Sequence, residues 1–99
     1  MYRLPTLDAS GWTALHFAAG GYHVALAEAL LEAGADVDAE DSHGNTPLFR
    51  ATFESYGRGE MIRLLVAHGA DAAQPNKHGI SPSGLAATIA NYDVAKWFE

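Results

Sequence analysis

The strongest constraint on the fold of this chain is an internal repeat. Residues 8–18 are matched 33 positions further on by residues 41–51, and a weaker third copy, residues 76–86, begins 35 positions after the second. The first two copies each close with Gly-Ala-Asp, which starts at Gly34 and at Gly69. Such a period is typical of stacked repeat proteins, whose units bury their apolar faces only against neighbouring units.

Each unit is predicted to consist of a turn, a short inner helix, a second turn and an outer helix. Hydroxyl residues that can cap the inner helices stand at Thr13, Thr46 and Ser81, the last two followed by proline. Outer helices are expected from about Val24 to Gly34 and from about Gly59 to Gly69, with the two glycines as left-handed C-caps. Small residues on the inner helices suit close stacking; they are Ala18, Ala19, Ala51, Ala86 and Ala87.

The second and third units depart from the first. Thr13 to Gly34 spans 21 positions and Thr46 to Gly69 spans 23, so the second unit has two extra residues, which we place within residues 53–59. In the third unit, Ser83-Gly84 replaces Leu-His and predicts a weaker inner helix. Its outer helix is predicted from about Tyr92 to Phe98. The aromatic residues Tyr92, Trp97 and Phe98 at this end either seal the stack or contact another chain.

Composition excludes several classes of protein. The chain has no cysteine and a formal net charge of −6, so thiolate sites and disulfides are absent and binding to a nucleic-acid backbone is disfavoured. No apolar stretch approaches the roughly 20 residues of a membrane span, and no signal peptide is visible. We therefore expect a cytoplasmic protein. The acidic run Asp36, Asp38, Glu40 and Asp41 is interpreted as a solvated loop, and the charge mildly favours a basic partner.

Three motifs together resemble the ankyrin repeat. They are Asp-x-x-Gly-x-Thr-x-Leu-His-x-Ala-Ala in residues 8–19, Thr46-Pro47-Leu48, and the Leu-Leu-x-x-Gly-Ala-Asp that ends at Asp36. The resemblance implies an all-α solenoid of stacked antiparallel helix pairs with β-hairpin-like fingers. It divides the single domain into an extension (1–7), repeat 1 (8–40), repeat 2 with its insertion (41–75) and a truncated capping repeat 3 (76–99).

The resemblance also implies a function: a non-catalytic module that binds a protein partner on the concave surface of fingers and inner helices. Carried over by position, the expected partner-binding residues are Trp12, Phe17, Ser42, His43, Asn45, Arg50, Phe53, Lys77, His78 and Ile80. By the same resemblance, the finger residues Ala9 and Ser10 should also point toward a partner, and Glu54, Thr88 and Ile89 occupy or border the binding positions of the inner helices. For Trp12 the alternative is packing on its own finger or on residues 1–7.

The histidines do not predict a metal site. By the resemblance, His16 ties neighbouring fingers together with hydrogen bonds. His43 and His78 occupy the same place in successive units, and we expect them roughly 10 Å apart, the spacing of adjacent helices, which is too far for a shared ion. His68 suits the negative end of a helix dipole. Neither a catalytic triad nor a phosphate-binding loop is visible, so we expect no enzyme activity and no cofactor.

Two alternatives to a dedicated cytoplasmic binding module stay open. The chain is similar to small bacterial ankyrin-repeat proteins, some of which are immunity proteins that neutralise a toxin, and an acidic chain would suit a basic nuclease toxin. The other alternative is a fragment or designed minimal array that self-associates through its ends. We expect a monomer, with end-to-end association as the competing hypothesis.

Overall fold

The computed structural model describes residues 11–89 and 94–98 of the chain. These residues form five α-helices, α1 (Ala14–Gly20), α2 (Val24–Glu32), α3 (Pro47–Phe53), α4 (Glu60–Ala67) and α5 (Pro82–Thr88), and a 3₁₀ helix, Ala95–Phe98. The inner helices α1, α3 and α5 pack side by side, α2 and α4 form an outer layer, and each outer helix packs on the inner helix that precedes it. Within the described part of the chain there is no β-strand, so the all-α repeat fold is confirmed.

Hydroxyl caps set the start of every inner helix, as predicted. The Oγ atoms of Thr13, Thr46 and Ser81 accept hydrogen bonds from the third residue of the helix that follows, at 3.3, 3.3 and 3.0 Å. Each cap satisfies one of the backbone N–H groups that a helix leaves unpaired at its start. At the other end of the unit, Gly34 and Gly69 have φ of +95° and +91°, the left-handed conformation expected after an outer helix.

The core is one continuous seam between the helix layers. Its buried apolar residues are Leu15, Ala18, Ala19, Ala27, Leu31, Leu48, Ala51, Met61, Ile62, Leu65, Ala86 and Val94. The small inner-helix residues are buried as expected, except that Ala87 on α5 is exposed. The units therefore share a single core and depend on one another for burial.

The finger of the second repeat is a tight turn that is built by a single side chain. The Oδ1 atom of Asp41 accepts from the backbone N–H groups of His43 and Asn45, both at 2.9 Å, and Asn76 repeats this arrangement in the third finger. Asp41 is only 6% exposed, so the acidic run is not a solvated loop throughout. Asp41, the last residue of that run, has a structural role because its carboxylate accepts hydrogen bonds from the backbone N–H groups of the turn.

The connection between α3 and α4 is longer than the one between α1 and α2. It covers residues 54–59, against 21–23 in the first repeat. The Arg58 side chain fixes it: Nε donates to the Ser55 carbonyl at 2.9 Å, and the guanidinium stacks on the Tyr22 ring at 4.0 Å. The Tyr22 hydroxyl donates to the Arg58 carbonyl at 2.9 Å, and burial raises the pKa of Tyr22 to about 12. Tyr22 thus connects the first repeat to the longer loop.

The C-terminal end differs from the prediction. An outer α-helix from about Tyr92 was expected, whereas residues 95–98 form a 3₁₀ helix and Tyr92 lies outside the described residues. The Trp97 indole folds back on the second repeat, where its Nε1–H donates to the Gly57 carbonyl at 3.1 Å. It lies directly against the Cα of Gly59, so a Cβ there would overlap the ring. The sequence left two roles for Trp97, sealing the stack or contacting another chain, and this packing on the second repeat supports the first.

We expect Gly59→Ala to destabilise the protein by about 1–3 kcal/mol, because the added methyl group must displace the Trp97 indole. The backbone of Gly59 (φ −116°, ψ −6°) is open to alanine, so the cost comes from the contact alone. Urea unfolding followed by circular dichroism measures it.

Gly20→Ala is the matched control for this substitution. A Cβ there would lie 3.7 Å from the Arg50 side chain, an ordinary contact, so the variant is expected to be neutral or slightly stabilising. Equal stability of the two variants would show that Trp97 does not pack on Gly59.

Candidate functional site

An aromatic and cationic cluster lies where the first finger meets the inner helices. We call Trp12, Phe17, Arg50, Phe53 and Glu54 the Trp12–Arg50 cluster. The Trp12 and Phe17 rings meet edge to face with centroids 4.6 Å apart. The Arg50 guanidinium lies 4.4 Å from the Trp12 ring centroid and 5.5 Å from that of Phe53. Arg50 is on the inner helix of the second repeat, so the cluster crosses the boundary between repeats.

Arg50 is held in one position before any partner binds. Its Nη2 atom lies 3.1 Å from Glu54 Oε1, one helical turn further along, and its side chain lies next to Gly20. The pair is partly exposed, so its stabilising contribution is small, about 0.3–0.5 kcal/mol. A side chain that is already ordered loses little further entropy when another group contacts it.

Phe53 is the exposed edge of the cluster. Its side chain is 56% exposed, whereas Trp12 and Phe17 are half-buried. Trp12 packs on Phe17 of the same repeat and keeps an accessible part beside Arg50, and its role in partner binding stays a prediction. Large aromatic side chains and arginine are the residue types that most often dominate protein interfaces.

The fingertips present a second group of the predicted residues. Ser42, His43, Lys77 and His78 are all exposed, and the His43 and His78 rings lie nearly parallel, 28° apart, with centroids 6.3 Å apart. The predicted separation of roughly 10 Å was wrong. The fingers are joined by a backbone hydrogen bond from the Lys77 N–H to the His43 carbonyl at 3.0 Å. Hydrogen-bonded backbone segments lie closer together than packed helices do.

Asn45 and Ile80 differ in how far they are available to a partner. Asn45 is used inside the scaffold: its Oδ1 accepts from Asn76 Nδ2 at 2.8 Å and its carbonyl oxygen lies 2.8 Å from His16 Nε2. Ile80, in the same position of the third finger, is 43% exposed. Asn45 is therefore a link between fingers, and Ile80 an apolar group on the surface.

His16 is the connection that the family resemblance implied. It is fully buried; Nδ1 accepts from the Thr13 N–H at 3.1 Å, so Nε2 carries the proton and donates to the Asn45 carbonyl. Desolvation lowers the pKa of His16 below 6.5, and the nearby Arg50 charge acts in the same direction. The Asn45 hydrogen bond and the Asp41 carboxylate partly oppose this shift in pKa. His16 is thus a neutral side chain that fixes the second finger to α1.

Sequence reasoning missed two groups of residues. The Tyr22–Arg58 stack has a counterpart at Trp97, over which the Arg63 and Lys96 charges both lie at 4.9 Å. The repeat periodicity does not predict these contacts, because Tyr22–Arg58 and Arg63–Trp97 join residues far apart in the chain. The Asn45–Asn76 pair was also missed, although aligning the repeats puts Asn76 at the position of Asp41 and offers a signal that could have found it.

The described residues offer no arrangement typical of catalysis. In the ranges 11–89 and 94–98, no three His, Cys, Asp or Glu side chains are grouped to hold a metal ion. A cavity of about 450 Å³ at the open side of the first repeat is lined mainly by apolar residues, including Leu15, Leu30 and Ala35, with Asp36 as its one carboxylate. In the same ranges, no helix is long and apolar enough to cross a membrane.

Comparison with known proteins agrees with the fold and the repeat motifs. A family model described as ankyrin repeats, in three copies, matches residues 3–77. The chain belongs to the ankyrin-repeat family. Ankyrin repeats generally mediate interactions between proteins, and the family is typically non-catalytic.

This ankyrin-repeat chain spans only part of the length of the relatives that it matches. It is 35% identical over 89 residues to mouse ankyrin repeat and SAM domain-containing protein 6, covering 89% of this chain and 10% of that protein. It is 36% identical to mouse protein phosphatase 1 regulatory subunit 12A, covering 91% of this chain and 8% of the relative. For human protein phosphatase 1 regulatory subunit 27 the identity is 35%, with 83% of this chain and 52% of the relative covered.

We expect the stability of the protein to fall as the pH is lowered below about 6.5, in part because of His16. Its pKa is lower in the folded than in the unfolded state, so the unfolded state takes up the proton first and stability is lost as pH falls. The loss approaches about 1.4 kcal/mol per pH unit between the two pKa values. Urea unfolding at about pH 7.5 and about pH 5.5 measures it.

His16→Gln should lower stability at the higher pH by about 1–3 kcal/mol, through the lost hydrogen bonds, and should lose less on acidification than the parent. His68→Gln, at an exposed position, is the control and should not reduce the loss of stability on acidification. If His16→Gln loses as much stability as the parent on acidification, His16 does not contribute in this way.

Proposed function

We propose that this chain is a binding module that contacts a protein partner through the Trp12–Arg50 cluster. The observation that carries the proposal is the exposed Phe53 ring beside a guanidinium that is already held by Trp12 and Glu54. The ring offers apolar area, and the ordered guanidinium offers directed hydrogen-bond donors. A partner that presents an apolar side chain and an acceptor group next to each other would match both.

The fingertips extend this surface in the proposal. Ser42, His43, Lys77, His78 and Ile80 are exposed on the second and third fingers, and hydrogen bonds within each turn fix the backbone that carries them. A rigid backbone with exposed side chains of mixed chemistry can bind a partner with little ordering of its own. In this proposal the fingertips contribute selectivity and the Trp12–Arg50 cluster contributes most of the affinity.

The names of the relatives give independent support. Two of them are regulatory subunits of protein phosphatase 1, and a regulatory subunit works by association with another protein. We propose that this chain likewise acts without chemistry or cofactor of its own.

The cytoplasmic location, the monomeric state and the immunity-protein alternative stay predictions. The Trp97 fold-back weighs against end-to-end association, because it covers part of the second repeat from within the chain.

We expect Phe53→Ala and Arg50→Ala each to weaken partner binding by about 1–3 kcal/mol, roughly a factor of 5 to 150, because each removes a central contact. The partner is first captured from an extract of the native cell and identified by mass spectrometry, and the affinity of each variant is then measured by calorimetry. Circular dichroism checks that each variant is folded.

Leu26→Ala and Val66→Ala are the matched controls for these two variants. Both side chains are exposed apolar residues, 50% and 39% accessible, but they lie on the outer helices α2 and α4. They should leave the affinity unchanged. Loss of binding in the controls but not in Phe53→Ala would place the partner on the outer-helix face and overturn the proposal.

A further inference from the structure

His43 and His78 form an exposed pair of imidazoles that takes no part in the core or in the Trp12–Arg50 cluster. The ring centroids are 6.3 Å apart, and the planes are inclined by 28°. Among the described residues, the ring nitrogens of neither side chain have a hydrogen-bond partner. Four nitrogen atoms of two neighbouring imidazoles are thus available to a ligand from solvent.

The backbone that carries the pair is fixed on both sides. The His43 N–H donates to Asp41 Oδ1 at 2.9 Å, and the His78 N–H donates to Asn76 Oδ1 at 2.8 Å. The Lys77 N–H donates a hydrogen bond to the His43 carbonyl and so joins the second and third fingers. Only the side-chain torsions of the two histidines remain to be adjusted, so little entropy is lost when both rings bind one ligand.

The spacing of the rings suits ligation of a single metal ion. Imidazole nitrogen binds Zn²⁺ at about 2.0–2.1 Å, so two imidazoles on one ion have ring centroids roughly 5 to 6 Å apart. The observed separation is close to this range, and both side chains are exposed and able to turn. The nearly parallel rings do not direct a nitrogen to a common point as they stand, so ligation requires both rings to turn about their side-chain bonds.

We propose that His43 and His78 together bind one divalent transition-metal ion across the second and third fingers. Imidazole ligands suit Zn²⁺, Ni²⁺ and Cu²⁺. These ions bind imidazole more tightly than Mg²⁺ and Ca²⁺ do, since Mg²⁺ and Ca²⁺ prefer oxygen ligands. No third His, Cys, Asp or Glu joins the pair among the described residues, so water fills the remaining positions and the ion exchanges readily. The bound ion joins two repeats and stabilises the folded chain.

The test uses the full chain without an affinity tag and Ni²⁺ as the probe. Calorimetric titration with nickel chloride is expected to show one ion per chain. His43→Asn and His78→Asn should each lower the affinity at least tenfold, because a single imidazole cannot chelate. The melting temperature should rise with nickel concentration, by roughly 5 to 10 °C at ten times the dissociation constant, and Mg²⁺ should not raise it.

A double variant provides the control, since His23 and His68 are also exposed but lie apart from the fingers. His23→Asn combined with His68→Asn should bind nickel as the parent does. The proposal is overturned if either finger variant keeps the parental affinity, if the control variant loses it, or if the parent binds no nickel. The pair would then bind no ion, and its place in the proposed partner-binding surface would be unaffected. Partner binding by the Trp12–Arg50 cluster is measured separately, so the two proposals can fail independently.

Discussion

The attachment of each finger to the neighbouring repeat is the constraint on which the structure depends. In the first pair of repeats it is the buried His16, which accepts from Thr13 and donates to the Asn45 carbonyl of the next finger. In the second pair, Phe49 stands at the corresponding position, and the attachment passes to the Asn45–Asn76 side-chain bond and the Lys77–His43 backbone bond. Different residues thus fix the same register, which keeps the inner helices in contact.

Both proposed sites follow from this register. Arg50 reaches Trp12 because α1 and α3 pack side by side and bring the two repeats together. The His43 and His78 rings approach each other only because their fingers are hydrogen-bonded along the backbone. Neither site lies within one repeat. A single repeat could not build either of them, since each needs side chains from two neighbours.

Among the described residues, the third repeat covers part of the second without an outer α-helix. Trp97 supplies a large apolar surface from a short 3₁₀ helix, and the absence of a side chain at Gly59 lets it approach the backbone of the second repeat. Arg63 and Lys96 lie over the indole, where they interact with its π face while remaining in contact with water. Trp97 thereby covers surface of the second repeat, as neighbouring repeats cover one another elsewhere in the stack.

The sequence alone determined the repeat period, the helix pairs, their hydroxyl caps at Thr13, Thr46 and Ser81 and the left-handed glycines, because these are local properties of the chain. It also placed candidate binding residues on the fingers and inner helices by their position in the repeat. Tertiary structure decided the rest: the 6.3 Å approach of His43 and His78, the use of Asn45 inside the scaffold, and the fold-back of Trp97. These features join residues that are distant in sequence, and their distances depend on how repeats are spaced. Periodicity gives the order of the repeats but not that spacing, which packing and hydrogen bonding between repeats set.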